Sequence, residues 1–188
     1  MLITRRVALA RGERLFRQGD AFDGVYIVAS GCMKLRETSA DGGERIVALC
    51  TPGEIVGLEG WAYGRHPHAA LAATDATLCR LSMPARGGAV SVDLLERVLA
   101  KAAMQLERAS RPWAGRPALE RVAAFVEDLA ERLGDPRLAH GATPLPMTRA
   151  EIGSYLGLAE ETVVRALAKL ARPERAAGAA RERRDAAA

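Results

Sequence analysis

Between Met147 and Leu170 the sequence reads MTRAEIGSYLGLAEETVVRALAKL, and these residue types dictate two short helices with a turn between them. Thr148, followed three residues later by Glu151, is a capping box: each side chain satisfies an N–H that the helix start leaves without an intrahelical partner. Ile152, Tyr155 and Leu156 give this helix one apolar face. Gly157 follows at once, and glycine ends helices because it enters the left-handed region without a Cβ clash. A second helix is expected from about Glu160, with Val163, Leu167 and Leu170 spaced for burial against the first. Two short helices joined by a glycine-containing turn are the sequence form of the helix-turn-helix, whose second helix enters the DNA major groove.

That second helix presents Glu161 and Arg165 one turn apart on one face. Arg can grip O6 and N7 of guanine, Glu can accept from the cytosine amino group, and Val164 beside them suits a thymine methyl. The competing reading of the pair is an exposed i,i+4 ion pair worth about 0.3–0.5 kcal/mol and nothing more. The capping box, the glycine and the matched apolar stripes favour the DNA reading. Thr148, Arg149, Glu161, Thr162, Val164, Arg165 and Lys169 are the candidate DNA contacts.

Composition restricts the alternatives without choosing among them. The 188 residues can form one ordinary domain or two small ones, and 49% hydrophobic with 27% charged residues is ordinary globular content. No apolar run spans a bilayer and Met1–Ala10 lacks the form of a signal peptide, so a cytoplasmic location away from membranes is expected. Net charge is +4, but its excess over the second half lies after Ala171. Bulk charge alone would not nominate DNA. Cys32, Cys50 and Cys79 are scattered without zinc-like spacing and read as small buried hydrophobes; no metal site and no catalytic residue is expected.

Residues 1 to about 85 read as β structure: Val25–Val28, Cys32–Leu35, Ile46–Leu49, Ile55–Val56 and Thr77–Leu81 are short apolar runs between glycine turns, with Asp41-Gly-Gly-Glu44 as a hairpin turn. Near Ser91 the period becomes helical. Leu95, Val98, Leu99, Ala102, Leu106 and Ala109 form one stripe. Such a stripe packs on its own domain or on a copy of itself as a coiled coil. One small β-domain offers too few partners for all six, so homodimerisation is expected. Two prolines and a glycine in Ser110–Pro117 mark a boundary, and Leu119–Leu133 is a further amphipathic helix stopped by Gly134-Asp-Pro136. Ala171–Ala188, rich in Ala and Arg without a large apolar residue, reads as a frayed helix or disordered tail able to attract phosphate nonspecifically. The expectation is an α+β chain: a β-roll sensor domain over 1–88, a long dimerisation helix over 89–112, a helix-turn-helix domain over 117–171 and a tail over 172–188.

Across nearly its whole length the chain resembles the CRP/FNR family of bacterial transcription regulators. The matching residues are Gly12–Asp20 leading to Val25–Val28, Ser30–Leu35, Asp41–Glu44, Pro52–Leu58, Glu120–Phe125, Leu145–Arg149, Tyr155–Leu158 and Glu161–Val163. The resemblance implies a jelly-roll-like β-roll sensor of the cyclic-nucleotide-binding type and a winged helix-turn-helix. It also implies a homodimer on a two-fold symmetric double-stranded operator, with Glu161 and Arg165 at base-reading positions and RNA polymerase as a further partner. Four departures qualify it. Cyclic-nucleotide-binding members hold the phosphate with an Arg-Ser or Arg-Thr pair where this chain has Pro67 and His68, which argues against cyclic AMP. Oxygen-sensing members carry cysteines ahead of the roll, and none precedes Cys32, which argues against an iron–sulfur cluster. Position 159, usually a capping Ser or Thr, is Ala, and the Ala/Arg tail lacks the apolar alternation of a wing.

Two other readings compete. Gly60, His66 and His68 superficially mimic a cupin metal motif, but Ala69–Ala73 leave out its glutamate, and His66 and His68 are better read as surface histidines in a turn. A dimeric sensor whose truncated DNA-binding domain no longer reads DNA specifically is the main rival. The cofactor and signal stay open: a small molecule at the roll, chemistry at Cys32, Cys50 or Cys79, or a scaffold without ligand.

Overall fold

The computed structural model describes residues 3–81, 92–109, 115–139, 141 and 143–171, and the chain divides into two units, Met1–Pro112 and Trp113–Ala188. The Ala/Arg tail and residues 110–114 of the expected boundary lie outside the described residues.

The first unit pairs eight strands into two antiparallel sheets. The strands are β1 (Ile3–Leu9), β2 (Arg14–Phe16), β3 (Val25–Ser30), β4 (Met33–Thr38), β5 (Glu44–Cys50), β6 (Ile55–Val56), β7 (Ala69–Ala72) and β8 (Ala76–Leu81). One sheet has the order β1-β8-β3-β6, the other β2-β7-β4-β5. The period of two decides which side chains meet between them: Met33 and Leu35 are buried while Lys34 and Arg36 are only partly covered. Phe16, Tyr26, Val28, Met33 and Leu78 form the centre of the shared core. The hairpin turn forms where Asp41-Gly-Gly requires it: Ser39 N–H donates to Gly43 O at 2.9 Å and Gly43 N–H to Asp41 Oδ1 at 3.2 Å. Hydrogen bonds from the Ser39 hydroxyl and the Gly43 amide hold the Asp41 carboxyl below its usual pKa range.

Between β6 and β7 the chain makes a short helix, α1 (Glu59–Tyr63). After β8, helix α2 (Val92–Ala109) returns along the same unit: Val98 joins Val25, Ile55 and Leu81 in a second buried cluster. Cys32 and Cys50 are buried and Cys79 is half-buried, and none of the three forms a disulfide.

The second unit is helical. Helix α3 (Ala118–Leu133) buries Val122, Phe125, Val126 and Leu129, the amphipathic face its spacing predicts, and ends at Gly134 in the left-handed region. A 3₁₀ turn at Pro136–Leu138 follows, capped by Asp135, and buries Leu138. Two helices complete the unit, α4 (Arg149–Leu156) and α5 (Glu160–Leu170).

Candidate nucleic-acid interface and its supporting elements

The capping box at the start of α4 is complete: Thr148 Oγ1 accepts from Glu151 N–H at 3.2 Å, and Glu151 Oε2 accepts from Thr148 N–H at 2.9 Å. At its other end Gly157 has φ +64° and donates to Gly153 O, while Leu158 N–H donates to the same carbonyl at 2.8 Å. Here the turn folds so close onto α4 that a Cβ on Gly153 would stand 2.6 Å from Leu158 O. Arg121 of α3 donates through Nη2 to the Leu156 carbonyl, placing a cation at the negative end of α4. Ile152 and Leu156 are buried, and the Phe125 and Tyr155 rings lie 5.7 Å apart.

Helix α5 buries Val163 and Ala166 and turns its other side outward. Glu161, Val164, Arg165 and Lys169 are exposed there, Thr162 is half-buried, and Thr148 and Arg149 are exposed at the start of α4. Arg165 Nη2 lies 2.5 Å from Glu161 Oε1, with both side chains 74% exposed. The structure therefore brings Glu161, Val164 and Arg165 onto one open face. Ala159 precedes α5 without a side-chain cap.

On α2 the expected stripe divides into two faces. Val98 is 4% exposed, because it fills the cluster with Val25, Ile55 and Leu81. It faces its own unit, unlike Leu99 and Leu106 of the stripe in which its spacing had placed it. Leu99 and Leu106 are 57% and 68% exposed, and Val92, seven residues before Leu99, is 70% exposed. Leu95 and Ala102 are half-buried, and the side chain of Ala109 lies outside the described residues. Val92, Leu95, Leu99, Ala102 and Leu106 thus follow the three-and-four step of a coiled-coil seam. Val92 escaped the sequence reading, although counting back seven from Leu99 finds it.

The His66 assignment as a surface residue is overturned. Its ring is buried, stacked on Phe16 with centroids 3.6 Å apart, and neither ring nitrogen makes a hydrogen bond. Nε2 stands 3.7 Å from Asp23 Oδ1. Burial pushes the imidazole pKa down, against the opposing pull of the Asp23 carboxylate. Asp23 Oδ2 also accepts from the Tyr26 hydroxyl at 2.8 Å; burial and then this bond raise the phenol pKa to about 12. His68 Nδ1 lies 3.5 Å from Glu59 Oε1. Among the described residues no group of three or more His, Cys, Asp or Glu could hold a metal ion, and no helix is long and apolar enough to cross a membrane.

The family of cyclic nucleotide-binding domains matches residues 6–85, and that of Crp-like helix-turn-helix domains matches residues 120–176. Over 187 residues, 96% of this chain and 76% of the relative, the chain is 34% identical to the transcriptional activator protein Anr of Pseudomonas protegens. Over 173 residues, 89% of this chain and 72% of the relative, it is 35% identical to the nitrogen fixation regulation protein FixK of Bradyrhizobium diazoefficiens. The structure of FixK2 from Bradyrhizobium japonicum superposes with a TM-score of 0.70 at 29% identity, covering 90% of this chain and 85% of that one. A two-sheet β unit of this type followed by a helix-turn-helix defines a DNA-binding transcription regulator, not an enzyme. The chain belongs to the CRP/FNR family, in its FNR/FixK branch.

Proposed function

We propose that this regulator works as a homodimer, joined along Val92, Leu95, Leu99, Ala102, Leu106 and Ala109 of α2, and reads a two-fold symmetric operator with α5. The β unit (1–88) serves as sensor, the segment 89–112 as the dimer helix and 117–171 as the DNA reader, acting in the cytoplasm together with RNA polymerase. Arg165 and Glu161 take guanine and cytosine edges and Val164 a thymine methyl. Thr148, Arg149, Thr162 and Lys169 approach phosphates, which sets register without selecting sequence. The observation that carries this reading is the division of α5: Val163 and Ala166 fix the helix while Glu161, Val164 and Arg165 stay open on one face.

The test selects DNA from a random pool with the full chain and sediments the parent beside Leu99→Glu. The expected result is an inverted-repeat operator, a dimeric parent and a monomeric variant with weakened operator binding. Recovery of no DNA sequence above background would overturn the operator reading in favour of a sensor that no longer reads DNA. A variant that sediments like the parent would place the interface elsewhere.

A further inference from the structure

Strand β6 is the two-residue edge of its sheet, and an edge leaves backbone groups open. The ladder to β3 uses its neighbours: Gly53 N–H donates to Val28 O at 2.8 Å and Val28 N–H to Glu54 O at 3.0 Å. The N–H and C=O of Ile55 are met by one side chain of α2. Ile55 N–H donates to Gln105 Oε1 at 2.9 Å, and Gln105 Nε2 donates to Ile55 O at 3.1 Å. The Cys50 thiol also points to that carbonyl, at 3.7 Å. A carboxamide can meet the N–H and the C=O of one residue at once, offering acceptor and donor in one plane. Gln105 therefore continues the sheet by one side chain. Two other residues on the same face of α2 hold the same short segment: Val98 against the Ile55 side chain, and Lys101 Nζ donating to Gly53 O at 3.0 Å.

The next residue along the helix, Leu106, belongs to the exposed seam. In the other direction β6 runs straight into α1 and the segment carrying His66 and His68. We propose that Gln105 is a positioning residue that couples edge strand β6 to the dimer-forming face of α2, so that a shift of β6 changes dimer affinity and, with it, operator binding. This rests on the homodimer reading above. A helix joined to β6 through two hydrogen bonds to one residue, Ile55, cannot keep its register if that residue moves. Coupling of this kind is reciprocal: whatever β6 does to the dimer, dimerisation does to β6.

Reciprocity supplies the test, using the full chain in four forms: parent, Gln105→Leu, Leu106→Glu and the double variant. Sedimentation gives the dimer constant, and hydrogen exchange of the Gly53 amide reports β6, since that amide bonds to β3 and not to Gln105. Gln105→Leu leaves the seam intact yet is expected to weaken the dimer about tenfold, inside the usual range of coupling factors. Leu106→Glu is expected to speed Gly53 exchange about fivefold or more in the parent background and to add nothing once Gln105 is gone. A residue with a merely local packing role would not erase that dependence. Gln105→Glu, which keeps the acceptor for Ile55 N–H and loses the donor, is expected to fall between parent and Leu variant and serves if the Leu variant does not fold. A monomeric parent overturns the homodimer reading and this proposal with it. A dimeric parent in which Leu106→Glu leaves Gly53 exchange unchanged, or changes it equally with and without Gln105, overturns the coupling alone.

Discussion

Replacing Arg165 with Ala separates folding from DNA reading. Among the described residues its guanidinium meets Glu161 at 2.5 Å, with both groups 74% exposed. An exposed i,i+4 pair of this kind contributes about 0.3–0.5 kcal/mol, and the better helix propensity of Ala offsets part of that. For a small helical domain the loss corresponds to a Tm change of about 2–4 °C at most. On DNA the same side chain is asked for far more. A bidentate guanine contact discriminates by about 1–3 kcal/mol per half-site, or about 2–6 kcal/mol for a dimer whose two half-sites act independently. Affinity for the operator should therefore fall by at least about 30-fold, at roughly 1.4 kcal/mol per factor of ten. Nonspecific binding should fall much less, because the lost contact is to a base edge. Titrating parent and variant against a selected operator and a scrambled duplex at two salt concentrations measures both. Equal losses on the two DNAs, with a shallower salt dependence, would show Arg165 to be one more phosphate charge and would refute the reasoning.

Two further outcomes test the scaffold. Because burial lowers the His66 pKa below the value of about 6.5 it has when unfolded, the unfolded chain binds more protons in the window below that value; the stability is full above about pH 6.5 and declines as pH falls towards the folded pKa, by at most about 1.4 kcal/mol per pH unit. Denaturant midpoints followed from about pH 7.5 downward should show this slope reduced in His66→Gln, whatever the variant's absolute stability, and parallel slopes would count against a buried neutral imidazole. Gly153→Ala forces a Cβ to 2.6 Å from the Leu158 carbonyl and should cost about 1–3 kcal/mol in thermal unfolding together with operator affinity; an unchanged Tm would mean that the turn yields without penalty.

Local chemistry was what the sequence displayed best. The capping box, the Gly157 stop and the start of α5 at Glu160 all depend on contacts within a few residues, and each forms where its residue types place it. Strands bounded by glycine turns were similarly legible, as at Val25 and Thr77. The strands that escaped notice owe their existence to distant partners. Ile3–Leu9 has arginines at its middle and is a strand because it pairs with β8, and Ala69–Ala72 has little intrinsic β preference but lies between β2 and β4. His66 was misplaced for the same reason: a polar residue in a Gly/Pro-rich segment resembles a turn until Phe16, fifty residues earlier, is brought against it. On α2, amphipathic spacing marked the apolar positions but not which partner each would meet, so Val98 and Leu99 looked equivalent. At the candidate DNA face the sequence supplied residue types and periodicity; the structure added their exposure and the Glu161–Arg165 pairing.

The close approach of the α4–α5 turn to Gly153 has a consequence for how such a regulator can diversify. The angle of α5 is set by backbone against backbone and by Val163 and Ala166 beneath it, none of which is an expected base contact. Glu161, Val164 and Arg165 add almost nothing to that arrangement. If Glu161, Val164 and Arg165 read the bases as proposed, a lineage can rewrite these three letters, and with them the set of promoters addressed, without first acquiring compensating changes in the core. On that proposal, promoter choice and foldability are inherited through separate residues.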